Sequence, residues 1–333
     1  MVELEDDNNS LYCCVLVNKS WCSTAVQILW KNPWEYCLNK TFLFNTIISF
    51  LPHESREFLK SQGIYISLPS RHNVFNYLLF IKHLEATAIS SMICDGISYS
   101  TDKKYHQFIL EEEIYKLLMS RCSIKSLELD HIKHQIHHFP GAFRCLTDLV
   151  ELNTNSSIPS EIFFGLSQIC KRIKKIYVYF DNIDDENYGF IKLIHVQQNL
   201  KRFICSKSFD NNNDPSEELG LALTSSAQTL INLESRFKRE IFLPPKIFPL
   251  FRNLKILQLL NDFLNDGYEE QLQVSSYPNL EILYIKNISP YTISKIIQST
   301  TGKLRKILIQ YSIGDYSSGL IQSIIENFEE LID

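Results

Sequence analysis

His131, His134, His137 and His138 crowd into the stretch "HIKHQIHHFP". Imidazoles at i, i+3 and i+7 of a helix share a face and can ligate a transition metal. Here the stretch follows a strand-like run, so an irregular loop is expected, and Asp130 is the sole acidic neighbour. The expectation is a solvated polar turn, with no metal and no cofactor. Other chemistry has even less support. There is no glycine-rich phosphate loop, no G-x-S-x-G, no C-x-x-C and no H-E-x-x-H; "HESRE" at 53–57 lacks the second histidine. The chain reads as a non-enzyme. The acidic run at 111–113 is expected on a helix face and "DNIDDE" at 181–186 in a solvated turn.

With catalysis set aside, the elements themselves become informative. Composition is that of a globular protein, 45% hydrophobic and 21% charged, with only 10 glycines and 11 prolines among 333 residues. A net charge of −5 disfavours nucleic acid as a general partner, and the basic run "KRIKK" at 171–175 is too isolated to bind it alone. The N-terminus "MVELEDDNNS" has no signal-type apolar segment, and "FLFNTIISFLP" is far short of a membrane span. The nine cysteines are expected to be reduced, as in a cytoplasmic or nuclear protein.

A repeat runs through the second half. "CSIKSLELD", "LTDLVELNTN", "CKRIKKIYVYF", "FRNLKILQLL", "YPNLEILYIKN" and "TGKLRKILIQ" align, with weaker copies in "QQNLKRFICS" and "AQTLINLES". Their first apolar positions are Ile124, Leu149, Ile173, Leu200, Leu230, Leu254, Leu280 and Leu304, recurring every 24 to 30 residues, and Leu331 falls 27 further on. Alternation after each of these predicts a short strand. Between strands, "IPSEIFFGLSQICKRI" predicts a helix capped by Ser160, and "SPYTISKIIQSTTG" one capped by Ser289 with Pro290 at its first position. "ENYGFIKLIHVQQNL" and "SSGLIQSIIENFEEL" repeat the pattern. Neither strand nor helix can bury its apolar face alone, so the copies must stack. The spacing resembles that of leucine-rich repeats, in the irregular form with Cys122, Cys145, Cys170 and Cys205 near the strands and without a regular asparagine. The fold expected is an α/β leucine-rich-repeat solenoid, or horseshoe, over 122–333.

All three tryptophans, Trp21, Trp30 and Trp34, lie in "NKSWCSTAVQILWKNPW". Two short helices are expected there, capped at Ser10 and Ser20 and stopped by Pro33. The pattern Leu11, Cys14, Val17, Trp21, Leu29, Trp30 resembles the later part of an F-box, especially of fungal F-box proteins that carry leucine-rich repeats. The Leu-Pro helix that opens such a motif has no counterpart before Leu11. The resemblance implies a short all-α partial F-box over 1–35. It also implies docking to a Skp-type adaptor of a cullin–RING ubiquitin ligase through Leu11, Cys14, Leu16, Val17, Trp21, Leu29 and Trp30. The competing expectation is structural: Trp30 and Trp34 cap the first repeat and touch no partner.

Residues 36–121 are expected to hold linking helices and irregular first repeats. These include two helices broken at Pro52, an early strand near Leu84, and a helix over "YHQFILEEEIYKLLMSRC" with Phe108, Ile109, Glu112, Tyr115 and Leu118 on one face. The repeat register sets side chains flanking the buried leucines on an outward face. There Tyr177, Tyr179, Arg202, Arg236, Ile256, Leu260, Tyr284 and Leu308 form a candidate protein-docking patch. Taken with the resemblance, this predicts the substrate-recognition subunit of an SCF-type ubiquitin ligase. The alternative is a leucine-rich-repeat binding scaffold with no ligase link.

Overall fold

Each apolar run begins at a leucine-type residue, and all eight of these positions, Ile124 to Leu304, are buried. The next alternating residues then form strands, because one face has a dry interior to meet and the other does not. The computed structural model describes residues 7–36, 39–66, 73–96, 103–181, 187–207, 216–237, 243–260 and 266–310. The chain divides into two units, 1–153 and 154–333.

The first unit opens with helices α1 (Asn8–Val15), α2 (Lys19–Leu29), α3 (Pro33–Tyr36), α4 (Lys40–Ile48) and α5 (His53–Ser61). Strand β1 (His83–Glu85), helices α6 (Ala86–Gly96) and α7 (Lys103–Arg121), strand β2 (Ser126–Glu128), helix α8 (Ala142–Leu146) and strand β3 (Glu151–Asn155) follow. β1, β2 and β3 pair in parallel, with Leu84, Leu127 and Leu152 in one register row. The early strand at Leu84 and the helix break at Pro52 are as expected. Caps fall slightly elsewhere. Asp7 rather than Ser10 caps α1, accepting from the Ser10 N–H at 3.1 Å, and Asn18 rather than Ser20 caps α2, accepting from the Trp21 N–H at 3.0 Å.

The second unit alternates α9 (Ser160–Ile169), β4 (Lys175–Tyr179), α10 (Tyr188–His195), β5 (Arg202–Lys207), α11 (Glu217–Thr224) and β6 (Asn232–Phe237). A 3-10 helix at Pro245–Leu250 then leads to β7 (Ile256–Leu259), α12 (Asp266–Val274), β8 (Ile282–Lys286), α13 (Pro290–Gln298) and β9 (Lys306–Gln310). β4 to β9 pair in parallel, in chain order. This is the stacked α/β repeat that the leucine spacing requires. Ser289 caps α13, as expected. Ser160 does not cap its own helix: Pro159 holds that position, and the Ser160 hydroxyl instead accepts from the Gly189 N–H at 2.8 Å, tying α9 to α10. The helix expected over "SSGLIQSIIENFEEL", the strand at Leu331 and most of "DNIDDE" lie outside the described residues.

Without a regular asparagine, other side chains satisfy the buried backbone between repeats. Gln197 donates to the Cys170 carbonyl at 2.8 Å and accepts from the Ile173 N–H at 2.9 Å. Thr229 donates to the Leu200 carbonyl at 2.8 Å. The same interior holds the cysteines. Burial pushes the Cys122 thiol upward, Cys145 up to about 11 and Cys205 up to about 12, whereas Cys13 is exposed. The thiolate is the reactive form. In a native alkylation time course read by mass spectrometry, Cys13 should label first and Cys122, Cys145 and Cys205 only on unfolding. Labelling of Cys205 at the Cys13 rate would mean that the repeat interior is open.

Among the described residues, no helix is long and apolar enough to cross a membrane.

Candidate protein-docking surfaces

Strand pairing in the second unit sorts the outward side chains into three rows. The first runs Lys175, Arg202, Asn232, Ile256, Ile282, Lys306. The second runs Tyr177, Ile204, Glu234, Gln258, Tyr284, Leu308. The third holds Tyr179, Ser206 and Arg236, then Lys286 and Gln310. Leu260 lies just beyond β7 and is half-buried, with its N–H donated to the Ser235 carbonyl at 2.9 Å. All eight residues of the expected docking patch therefore sit on or beside this face. Tyr177, Tyr179, Arg202, Ile256 and Tyr284 are half-buried, while Arg236 and Leu308 are exposed.

The middle of the face is more closed than the sequence suggests. Asn232 and Glu234 are buried, with Asn232 Nδ2 donating to Glu234 Oε1 at 3.1 Å and Arg236 Nη2 donating to Oε2 at 2.5 Å. Glu234 is thus neutralised in place. Tyrosines and cations meet on both flanks: Arg202 Nη1 donates to Tyr177 Oη at 3.5 Å, and Lys306 Nζ lies 5.3 Å from the centre of the Tyr284 ring.

The corresponding rows of the first unit are His83, Ser126, Glu151 and Glu85, Glu128, Asn153. Burial, Glu85 and Asp130 push the Glu128 carboxyl upward despite hydrogen bonds from Thr87 and Asn153. Asn155, at the end of β3, is buried and accepts from the Ser157 N–H at 3.0 Å. It closes a turn instead of facing out.

The seven residues of the expected adaptor surface divide into two sets. Leu11, Cys14, Leu29 and Trp30 are buried, so they cannot contact a partner directly; they hold the helices together. Leu16, Val17 and Trp21 stand at the α1–α2 turn, 86%, 60% and 43% exposed. The Trp30 ring stacks at 4.4 Å on Tyr77, and Trp34 Nε1 donates to the His83 carbonyl at 2.8 Å. The Lys31 carbonyl accepts from both the Lys82 and His83 N–H groups, at 2.9 and 3.2 Å. Trp34 therefore covers β1 and Trp30 packs on Tyr77, while Trp21 faces out. The capping reading fits Trp30 and Trp34, and Trp21 is left exposed.

The histidine stretch is the irregular loop expected, with a 3-10 turn at Ile136–His138 and with His131 and His138 exposed, but it is not solvated throughout. His134 is buried, its ring 4.3 Å from Phe108 and 5.4 Å from Tyr115, with Nε2 3.4 Å from Glu111 Oε2. Among the described residues, no three His, Cys, Asp or Glu side chains converge as a metal site would require. The acidic run 111–113 lies on helix α7 as expected, with Glu111 and Glu113 buried. The inward side of α7 carries Leu110, Glu111, Ile114, Leu117 and Leu118, and Phe108 is exposed. A helix that buries two carboxylates shows a misleading apolar period. Glu111 is received by Gln107 on its own helix and by the distant Ser90 and His134, and Glu113 by Lys116, which makes this burial tolerable.

No family model and no curated protein matches the chain. A solved structure described as "Crystal structure of TLR13-ssRNA13 complex" is similar over 64% of this chain and 36% of that one, at 15% identity and a TM-score of 0.35. A likeness that low carries no argument about fold or ligand, and the match spans little more than a third of that protein.

Proposed function

We propose that this chain is a protein-binding repeat subunit that holds a partner on the outward sheet face of its second unit. In the finer form of this reading it is the substrate-recognition subunit of an SCF-type ubiquitin ligase, carried by a Skp-type adaptor at the α1–α2 turn. The sheet face carries the proposal: Tyr177, Ile204, Tyr284 and Leu308 share one outward register row. Aromatic and aliphatic side chains flanked by arginine are what protein interfaces use for anchoring. The adaptor reading is supported by Leu16, Val17 and Trp21, three large apolar groups exposed together at one turn. A scaffold without a ligase link is favoured by a specific observation: four of the seven F-box-like residues are buried as core.

Binding of purified Skp-type adaptor to the full chain separates the two. In the ligase reading, Leu16→Asp or Trp21→Ala weakens adaptor binding at least tenfold, as loss of a central anchor does, while Tyr284→Ala leaves it unchanged. Absence of adaptor binding by the unmodified chain would rule out the ligase link and leave the scaffold.

A further inference from the structure

A chain with net charge −5 keeps a cationic face. Among the described residues of β4 to β9, the outward rows contain five cations, Lys175, Arg202, Arg236, Lys286 and Lys306, and one carboxylate, Glu234, already bound by Arg236. The residues just before these strands add exposed Lys174, Lys201, Lys255 and Arg305, with Glu281 tied to Lys255 at 2.7 Å. The two cation–tyrosine pairs share one register relation, although Arg202 meets the phenol oxygen and Lys306 the ring face. In each, a first-row cation lies diagonally beside a second-row tyrosine of the preceding strand: Arg202 on β5 by Tyr177 on β4, and Lys306 on β9 by Tyr284 on β8. Each corner offers a positive charge beside a phenol, which suits a carboxylate. Between the corners run Ile204, Ile256 and Ile282, and the buried Oδ1 of Asn232 has no hydrogen-bond partner among the described residues.

We infer that this face takes an acidic–aliphatic protein segment, its carboxylates at the Arg202–Tyr177 and Lys306–Tyr284 corners and its apolar side chains on the isoleucines between. The inference rests on the protein-binding reading of the same face and specifies the partner's chemistry. Four strand spacings of about 4.8 Å set the corners roughly 19 Å apart. An extended chain at about 3.3 Å per residue spans that with acidic groups about six residues apart. A nucleic acid fits less well, since the isoleucines offer nothing to a sugar–phosphate backbone.

The test uses the full chain and fluorescent peptides carrying two Asp-Glu pairs six residues apart with Leu and Ile between them. Controls are the same peptide with Asn and Gln, one with pairs two residues apart, and an oligothymidylate of equal charge. Expected is salt-sensitive binding of the first peptide only. Arg202→Gln and Lys306→Gln should each weaken it about fivefold, and together about 25-fold because the sites are far apart. Thermal melts matching the unmodified chain exclude misfolding as the cause, and Lys246→Gln, away from the face, should bind normally. Equal binding of the Asn/Gln or short-spaced peptide overturns the inference. Tighter, Arg202-dependent binding of the oligothymidylate overturns it in favour of nucleic acid. If the peptides fail but a protein captured from native lysate is released by Tyr284→Ala and Leu308→Ala, the acidic-segment inference fails and the protein-binding reading stands. If that capture is also unaffected, both fail.

Discussion

Glu111→Ala should destabilise the first unit by about 3–5 kcal/mol, the cost of removing one member of a buried polar network. Ser90 Oγ and Gln107 Nε2 donate to its Oε1 at 2.7 and 3.0 Å, and His134 approaches Oε2 at 3.4 Å. Glu111 and His134 are 2% and 4% exposed, so water cannot replace what is lost. Burial alone would raise the Glu111 carboxyl, yet His134, Ser90 and Gln107 together hold it below its ordinary 4.5. A lowered folded value means the unfolded chain binds the proton more readily. The Glu111 contribution is therefore fully present above about pH 4.5 and is lost as the pH falls through the lowered folded value. Denaturant melts of Glu111→Ala and Glu111→Gln at pH 7 and at pH 4 check both parts. The gap from the unmodified chain should be large at pH 7 and smaller at pH 4. A constant gap would show that ionisation of Glu111 contributes nothing.

Gly189→Ala should cost about 3 kcal/mol, against its helix propensity. Alanine is about 1 kcal/mol better than glycine within a helix, and Gly189 lies in the first turn of α10. A Cβ there would collide with the Ser160 carbonyl oxygen and stand 2.7 Å from Ser160 Oγ, the atom that accepts the Gly189 N–H. The obstruction is mainly backbone, so it cannot rotate away, and overpacking of this kind costs on the order of 1–3 kcal/mol or more. Thermal denaturation of Gly189→Ala beside an exposed control, Tyr188→Ala, measures it. A neutral or stabilising Gly189→Ala would mean that α9 and α10 are not held at the observed separation.

How much of this could be read beforehand depended on how local the determining physics is. The strand register was legible because alternation is a two-residue rule anchored at each leucine, and Leu127, Leu152, Ile176, Phe203, Leu233, Leu257, Leu283 and Ile307 follow it. The residues flanking them therefore reached the outward face as expected. Helix caps were placed within a few residues, since Asp, Asn and Ser compete for that role and tertiary demand decides. Ser160 shows the competition: its hydroxyl serves the neighbouring helix. The burial of Glu111 was not legible, because its charge is local while Ser90 and His134, two of the groups that receive it, lie more than twenty residues away in either direction. The division of the tryptophans between interior and surface likewise needed β1, whose His83 carbonyl receives Trp34.

The Lys31 carbonyl, bridging the Lys82 and His83 N–H groups at the head of β1, makes the leading helices a cover for those two donors. A shortened chain starting after Trp34 would leave both N–H groups without that acceptor, and a neighbouring polypeptide could take its place.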